Sequence, residues 1–210
     1  MSVYQTITNK TVEKSFVTNQ YAYFNDVFTK DELKKIIEIS TKIPLVDGDT
    51  TDGNSGPRVS KINHQVLNEN NKWVFDRLNQ LIMHCNWEFF NYDLTGYEYY
   101  QYAEYHAEDT GHYDYHVDIM FSGDNLRGNA VDFETRKLSV TLLLNEPGVD
   151  FEGGEFYTKT YGSDGEIPSG IGLKSGTAIL FPSWLMHKVA PVTKGIRKSL
   201  VVWVTGPKFR

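Results

Sequence analysis

Along the chain, apolar positions recur first at helical spacing and later at strand spacing. Leu33, Ile36 and Ile37 form a stripe three and four residues apart, as in a helix that buries one face. Thr29 precedes them as a candidate N-cap, with Asp31 and Glu32 in the first turn, where the helix dipole favours acids. A second helix is predicted over 70–86, where Trp73, Val74, Arg77, Leu78, Leu81 and Ile82 share one largely apolar face. Between the two, residues 45–57 are rich in Gly, Asp, Thr and Asn and read as a surface loop. From Tyr92 onward the texture changes. Short alternating or apolar segments occupy 97–105, 138–144, 154–158, 177–181 and 196–204, punctuated by Gly, Asn, Asp and Pro, with no helical pattern between them. Helices followed by a run of strands predict a mainly β protein, an all-β sandwich or barrel with flanking helices. We expect a helical and strand support region over 1–91 and a β core over 92–210, within one compact domain.

Composition narrows the picture without changing it. At 210 residues the chain can bury a core without covalent staples. Thirteen Tyr and twelve Phe favour sheets and pocket walls. A net charge of −6, a pI of about 5.5 and the lack of any Lys/Arg run argue against a nucleic-acid surface. The single cysteine, Cys85, excludes an internal disulfide and a CxxC zinc site and is expected to be a small buried hydrophobe. The first ten residues are polar, unlike a signal peptide, and no apolar run approaches the roughly 20 residues that span a bilayer. A cytoplasmic protein with no membrane and no nucleic-acid partner is the expectation.

The chemistry concentrates in Gly111-His112-Tyr113-Asp114-Tyr115-His116-Val117-Asp118. On a strand, residues i and i+2 point to one face, so His116 and Asp118 project side by side while Val117 packs behind. The candidate third ligand is His187, just after the apolar strand and proline break of Leu180-Phe181-Pro182-Ser183. Two histidines and one carboxylate on one face form the facial triad of non-haem Fe(II) oxygenases, which leaves three positions open. A structural zinc normally takes a closed tetrahedron instead. Alone, an H-x-D pair is a weak signal, because any single histidine is more often a surface or satisfied core residue.

Residues 190–200 strengthen it. They read as strand, tight turn, strand, with Gly195 where a left-handed turn residue is wanted. Arg197 and Ser199 then share one face, as do Val201 and Trp203. A dicarboxylate that chelates a metal through its 2-oxo acid end needs a cation at the other end, and the planar fork of Arg binds a carboxylate bidentately. Ser199 adds a hydroxyl donor. The plain alternative for Arg197 is a surface charge.

At this point the chain resembles the prolyl 4-hydroxylase-like group of 2-oxoglutarate/Fe(II) dioxygenases, and within it the bacterial and phage PKHD-type hydroxylase branch. The resemblance runs from Arg58 to the C-terminus. It rests on Gln101-Tyr102 with Tyr105, on His116-Val117-Asp118 and on Arg136-Lys137-Leu138-Ser139. It continues through Glu152-Gly153-Gly154-Glu155-Phe156, Phe181-Pro182-Ser183, His187 and the 191–197 block to Trp203. What it implies is a double-stranded β-helix, the cupin-like jelly roll. It implies Fe(II) on His116, Asp118 and His187, and 2-oxoglutarate on Arg197 with Ser199 and an early-strand tyrosine, here Tyr105. Where many prolyl hydroxylases carry a further tyrosine, Thr141 and Leu143 line the pocket. O2 is the second co-substrate, and ascorbate is the reductant expected to sustain turnover. Retention of Asp118 speaks against the related halogenases, whose site replaces the carboxylate with a small residue.

The resemblance makes a prolyl residue of a peptide or protein the first expected substrate, with Tyr113, Arg127 and Trp203 as candidate contacts. A free amino acid or small metabolite is the alternative, and a non-catalytic cupin-like metal-binding module is the rival from another class. Residues 119–134 form a long polar stretch between core strands, of a length that is uncommon inside a compact domain and often serves as a lid. Tyr113 and Tyr115 are expected on the face opposite His116 if the strand is regular, or nearer the mouth if it bends, with core packing as their default. His64, His84, His106 and His112 are expected at the surface or behind the site. Gly153 and Gly154 are expected to mark a sharp turn that lets backbone approach closely.

Overall fold

Thr29 and Glu32 close a reciprocal capping box: the Thr29 hydroxyl accepts from the Glu32 N–H, and the Glu32 carboxylate accepts from the Thr29 N–H at 2.7 Å. Helix α1 (Lys30–Ser40) starts there and buries Leu33, Ile36 and Ser40, with Ile37 half-buried at the margin. The computed structural model describes residues 16–17, 21–48, 58–119, 134–159 and 173–207. Helix α2 (Lys72–Cys85) buries Val74, Phe75, Leu78, Leu81, Ile82 and Cys85. It then widens into a π-helical turn, Asn86–Phe90, stopped by Asn91 at φ 52°. Arg77 lies on its apolar flank because the guanidinium has partners, donating to the Val27 carbonyl at 2.8 Å and reaching Glu32 at 3.3 Å. None of the helices among the described residues is long and apolar enough to cross a membrane.

Thirteen strands occur among the described residues: β1 (Phe16–Val17), β2 (Ala22–Phe24), β3 (Val46–Asp47), β4 (Arg58–Val59), β5 (Lys61–Val66), β6 (Tyr99–His106), β7 (His112–His116), β8 (Thr135–Leu143), β9 (Phe151–Gly153), β10 (Phe156–Lys159), β11 (Ala178–Pro182), β12 (Met186–Val189) and β13 (Val192–Gly206). The major sheet runs β1-β2-β11-β8-β13-β6-β5-β3, with β9 against β13, and the minor sheet runs β10-β12-β7-β4. Every strand pair is antiparallel in this double-stranded β-helix.

Period 2 sorts the major sheet into two faces. Tyr100 and Tyr102, Leu138, Val140 and Leu142, and Leu200, Val202 and Val204 share an apolar cluster with α1 and α2. The intervening Gln101, Tyr105, Thr141, Arg197, Ser199, Val201 and Trp203 line a cavity on the other face. The alternation of Leu138, Val140 and Leu142 with Ser139 and Thr141 follows from these two faces, the apolar residues turning to the helices. Each fully buried Leu or Phe contributes about 1.5–3 kcal/mol, so the helix-side cluster holds the sheet rigid under the cavity.

Two expectations are corrected, and one strand appears where none was predicted. Residues 190–200 are not a hairpin: β13 is continuous, and Gly195 (φ 69°) sits in an irregular register against β9, where the Asp150 carbonyl leaves no room for a side chain. The polar segment Lys61–Val66 is a strand, because β6 beside it supplies partners for its whole length. The short strand Val46–Asp47 interrupts the loop expected over 45–57, of which residues 49–57 lie outside the described residues.

Candidate active site

His116 ends β7, and His187 stands directly opposite it on β12. Asp118 lies beyond the strand, held by its own backbone: the N–H groups of Asp118 and Ile119 both donate to the Ser183 carbonyl at 2.8 Å. The Asp118 carboxylate then spans the two imidazoles, with Oδ1 3.6 Å from His116 Nε2 and Oδ2 3.5 Å from His187 Nε2. One ligand atom from each residue lies within 4.8 Å of the others.

The tautomers follow from the partners. His116 Nδ1 sits 2.8 Å from the Asp114 carbonyl, and His187 Nδ1 sits 2.8 Å from the Leu185 carbonyl. A carbonyl only accepts, so each Nδ1 carries the proton and each Nε2 keeps its lone pair toward Asp118. Burial pushes the His187 imidazole down to about 4, against the pull of Asp118, so it is neutral at neutral pH. Burial alone would push the Asp118 carboxyl up, but His187, His116 and the Ser139 hydroxyl together carry it below the usual carboxylate range. Three electron pairs with one negative charge therefore converge, a donor set that suits a divalent cation. Two cis ligands at roughly 2.1 Å from one metal are about 3 Å apart, so the carboxylate–imidazole distances of 3.6 and 3.5 Å exceed that spacing only modestly.

Tyr113 takes the bent-strand alternative, on the cavity side with His116. Its ring lies flat on His116, with centroids 3.4 Å apart and planes 9° apart. The register pairs His187 with His116 but Val189 with Tyr113, so three steps along β7 match two along β12. That bulge brings both side chains to one face. Burial pushes the Tyr113 phenol up to about 12. Tyr115 stays on the far face, under Lys188 at 4.6 Å and Lys159 at 5.4 Å.

Arg197 is 2% exposed and projects from β13 into the same cavity as the triad. Its Nε and Nη1 have no hydrogen-bond partner among the described residues, and its guanidinium carbon lies 5.5 Å from the Tyr105 ring centre. Desolvation draws the guanidinium down, opposed by Tyr105 and Glu155, but Arg stays charged in proteins. A buried cation with free donors needs an anion, and the cavity is where one would sit. Thr141 and Ser199 line the same space. Leu143 does not. It shares their sheet face but belongs to an apolar cluster with Tyr105, Phe151, Ile179 and Phe181. Trp203 lines the cavity under Arg136, whose guanidinium carbon is 4.2 Å from its ring centre.

Gly154 (φ 67°) lies beside the Arg197 stem, and the neighbouring Gly153 (φ 76°) lies against the Pro191 carbonyl, which fits the expected close approach of backbone. Arg127 and all of 119–134 except Ile119 and Glu134 fall outside the described residues. His64, His84, His106 and His112 do not join the triad. Sequence reasoning passed over Arg58, Gln101, Phe156, Phe181 and Val189 as wall residues. Phe156 and Phe181 pack their rings 5.6 and 4.6 Å from His187; Glu155 beside Phe156 was a signal, whereas Phe181 sits in the apolar run Ala178–Pro182, whose pattern does not assign a face.

The description "2OG-Fe(II) oxygenase superfamily" matches a family model over residues 100–205, which takes in all three triad residues and Arg197. The chain belongs to the 2OG-Fe(II) oxygenase superfamily. This oxygenase is 27% identical over 184 residues to a PKHD-type hydroxylase of Nitrosomonas europaea, covering 86% of the chain and 76% of that protein. It is 36% identical over 97 residues to a PKHD-type hydroxylase of Hyphomonas neptunium, covering 46% of the chain and only 39% of that protein. Its fold matches a Pseudomonas putida prolyl-4-hydroxylase at a TM-score of 0.69 and 18% identity, over 91% of this chain and 95% of that one. It also matches a Trichoplax adhaerens prolyl hydroxylase, solved with a hypoxia inducible factor peptide, at 0.65 and 21%, over 90% and 84%. It is an enzyme of the 2-oxoglutarate- and Fe(II)-dependent type, with the prolyl 4-hydroxylase-like fold.

Proposed function

We propose that this oxygenase hydroxylates a prolyl residue in a peptide or protein, with His116, Asp118 and His187 holding Fe(II) and Arg197 holding the far carboxylate of 2-oxoglutarate. The observation that carries the assignment is the buried Arg197 guanidinium, with two unpartnered nitrogens, in the cavity that also holds the triad. A site that only bound metal would leave that cation without an anion. Bound iron, 2-oxoglutarate and O2 supply oxidation of a substrate C–H bond coupled to oxidative decarboxylation of the co-substrate. The chain's own contribution is to orient. Leu185 and Asp114 fix the imidazole tautomers, Ser199 and Thr141 line the wall beside Arg197, and Tyr113 braces His116. Tyr113 and Trp203 also flank the space beside the triad that a prolyl ring would enter.

The prolyl reading is supported by the relatives: two PKHD-type hydroxylases by sequence and two prolyl hydroxylases by fold. Succinate formation with Fe(II), ascorbate and 2-oxoglutarate, compared across proline-containing peptides, free proline and no substrate, tests it. Stimulation by peptides and not by the free amino acid is the expected result. Stimulation by free proline alone would move the substrate to small amino acids.

A further inference from the structure

We infer that Arg58 holds a carboxylate of the substrate, so that the enzyme selects a target residue with an acidic group beside it. This role rests on the prolyl hydroxylase reading above and gives the substrate of that reading a charge.

Two arginines are buried among the described residues, Arg197 at 2% exposed and Arg58 at 6%, and both line the cavity that holds the triad. Arg58 comes from β4, where it is the cross-strand partner of Tyr113. Its guanidinium carbon lies 4.9 Å from the Tyr113 ring centre, and that ring centre lies 3.4 Å from the one of His116. Taken together, these put the guanidinium no more than about 8.3 Å from the ring of a metal ligand.

One edge of the group is closed off by the protein. Arg58 Nε donates to the Ser60 hydroxyl at 2.7 Å. Gly48 packs on the same edge, where a β-carbon would lie 2.9 Å from Nε, and its N–H is tied to the Ser60 carbonyl at 2.8 Å. The terminal amines have no hydrogen-bond partner and no carboxylate at ion-pair distance among the described residues. Nearby Asp47 pairs with Lys61 instead. Arginine is seldom this buried without a paired acid. Arg77, for comparison, has both Glu32 and the Val27 carbonyl. Two free terminal amines on a planar fork are the fit for a carboxylate held through both oxygens.

The charges of the loaded site point the same way. Among the residues that line the cavity only Arg58, Arg197 and Asp118 carry charge, since both ligand histidines keep a neutral tautomer. The two positive charges of Fe(II) cancel the two negative ones of 2-oxoglutarate, and Asp118 offsets one arginine. One positive charge is left. A neutral substrate would leave it buried and uncompensated, whereas a substrate with one carboxylate removes it.

An extended chain advances about 3.3 Å per residue, so the carboxylate belongs to the target residue or to a near neighbour. Arg58 also borders a second cavity, of about 450 Å³, with Val59, Ser60, Lys61, His106 and Asp109. A peptide that continued past Arg58 would have room there, which favours an acidic side chain over the carboxylate of a free amino acid.

The test is calorimetric binding to the full chain loaded with Zn(II) and 2-oxoglutarate, with succinate formation by the Fe(II)-loaded chain as a second readout. The probes are end-blocked peptides with Asp before or after the proline, their Asn counterparts, and a peptide ending at the proline as free acid or as amide. An Asp peptide is expected to bind at least about tenfold tighter than its Asn counterpart, the scale of hydrogen bonds to a charged group. That comparison needs only the wild type, and it carries the test should a variant not fold. Arg58→Gln is expected to bring the ratio to within about threefold of one, and Arg58→Lys to keep part of it. Arg58→Glu is expected to favour Lys peptides over Asp ones. Preference for the free acid over every Asp peptide, lost in Arg58→Gln, keeps the carboxylate and moves it to the main-chain end. A purely structural role weakens acidic and neutral peptides alike and leaves the ratio unmoved; that pattern overturns the inference, as does weaker 2-oxoglutarate binding in Arg58→Gln with an unchanged ratio. Neutral proline peptides that drive succinate formation as well as acidic ones leave the prolyl reading standing and remove the role of Arg58. Succinate formation with none of the peptides overturns the prolyl reading, and binding then decides the carboxylate by itself: a ratio kept sustains it, and a ratio of one, or no binding, removes it.

Discussion

The stem of Arg197 passes so close to Gly154 that a β-carbon on the glycine would lie 2.7 Å from the arginine Cδ. Gly154 also holds φ at 67°, a region that side chains other than glycine enter at a cost of roughly 1–2 kcal/mol. The glycine therefore sets the path of the guanidinium into the cavity. Gly154→Ala is expected to displace Arg197, weakening 2-oxoglutarate binding about tenfold while metal affinity stays near wild type. Titration of 2-oxoglutarate into the Mn(II)-loaded variant reads this. Equal losses of metal and co-substrate would mean that the glycine serves the fold and not the arginine.

Arg197→Ala should weaken 2-oxoglutarate by at least about thirtyfold, since removing one partner of a buried charge pair costs roughly 2–5 kcal/mol. Arg197→Lys should recover part, and Ser199→Ala should lose only about 0.5–3 kcal/mol. The neighbouring Lys198 faces the other way, where it lies 3.3 Å from the buried Glu104, itself hydrogen-bonded by Tyr102 at 2.6 Å. Lys198→Ala should leave 2-oxoglutarate affinity unchanged and lower stability, because Glu104 loses a charged partner while largely buried. Isothermal titration and urea melts on the same samples separate the two effects. A co-substrate defect in Lys198→Ala larger than that in Arg197→Ala would refute the assignment.

These contrasts mark what was legible beforehand and what was not. That His116, Asp118, His187 and Arg197 meet at one cavity could be read because chemistry restricts which residue types suit the proposed roles and because period 2 assigns strand faces. The same period failed at Tyr113, where a bulge in β7 offsets the face by one residue, and nothing local in Tyr113-Asp114-Tyr115 announces it. Gly195 was readable as a left-handed residue but not as a strand irregularity, because only the approach of Asp150 distinguishes the two. Ser139 and Ser183 are 44 residues apart and meet only in the folded sheet. Lys61–Val66 lacked an apolar signature, since its partner strand and not its own pattern makes it β.

Replacing any one of His116, Asp118 or His187 with Ala should abolish Fe(II)-supported turnover while the helix-side core keeps the fold intact. Zn(II) and Co(II) should compete for the same site, in keeping with the usual affinity order of divalent ions, and give no turnover. Far-UV circular dichroism, metal titration and succinate release on each variant check this. A single variant that kept wild-type metal affinity would remove that residue from the ligand set. Full activity in iron-free, zinc-loaded protein would sink the oxygenase assignment.

The buried His187 also predicts a pH dependence of stability in the metal-free protein. Burial takes its imidazole from 6.5 to about 4 in the folded state, with Asp118 pulling the other way. Between those values the unfolded chain binds a proton that the folded chain refuses, so acid favours unfolding. The stabilisation is complete above about pH 6.5 and is lost progressively as the pH falls toward 4, with a full extent of about 3 kcal/mol at roughly 1.4 kcal/mol per unit. Asp118, whose carboxyl is depressed, acts in the same direction but below its unfolded value of 3.8, so the two windows separate. Urea midpoints measured from pH 7.5 to 4.5 should therefore decline in the wild type and flatten in His187→Gln, which cannot take up the proton. Saturating Mn(II) should hold the wild-type midpoint higher near neutrality, then lose its effect as protons displace the metal from the imidazoles. If His187→Gln kept the full wild-type slope, another group would be responsible, and the neutral, buried state assigned to His187 would be wrong.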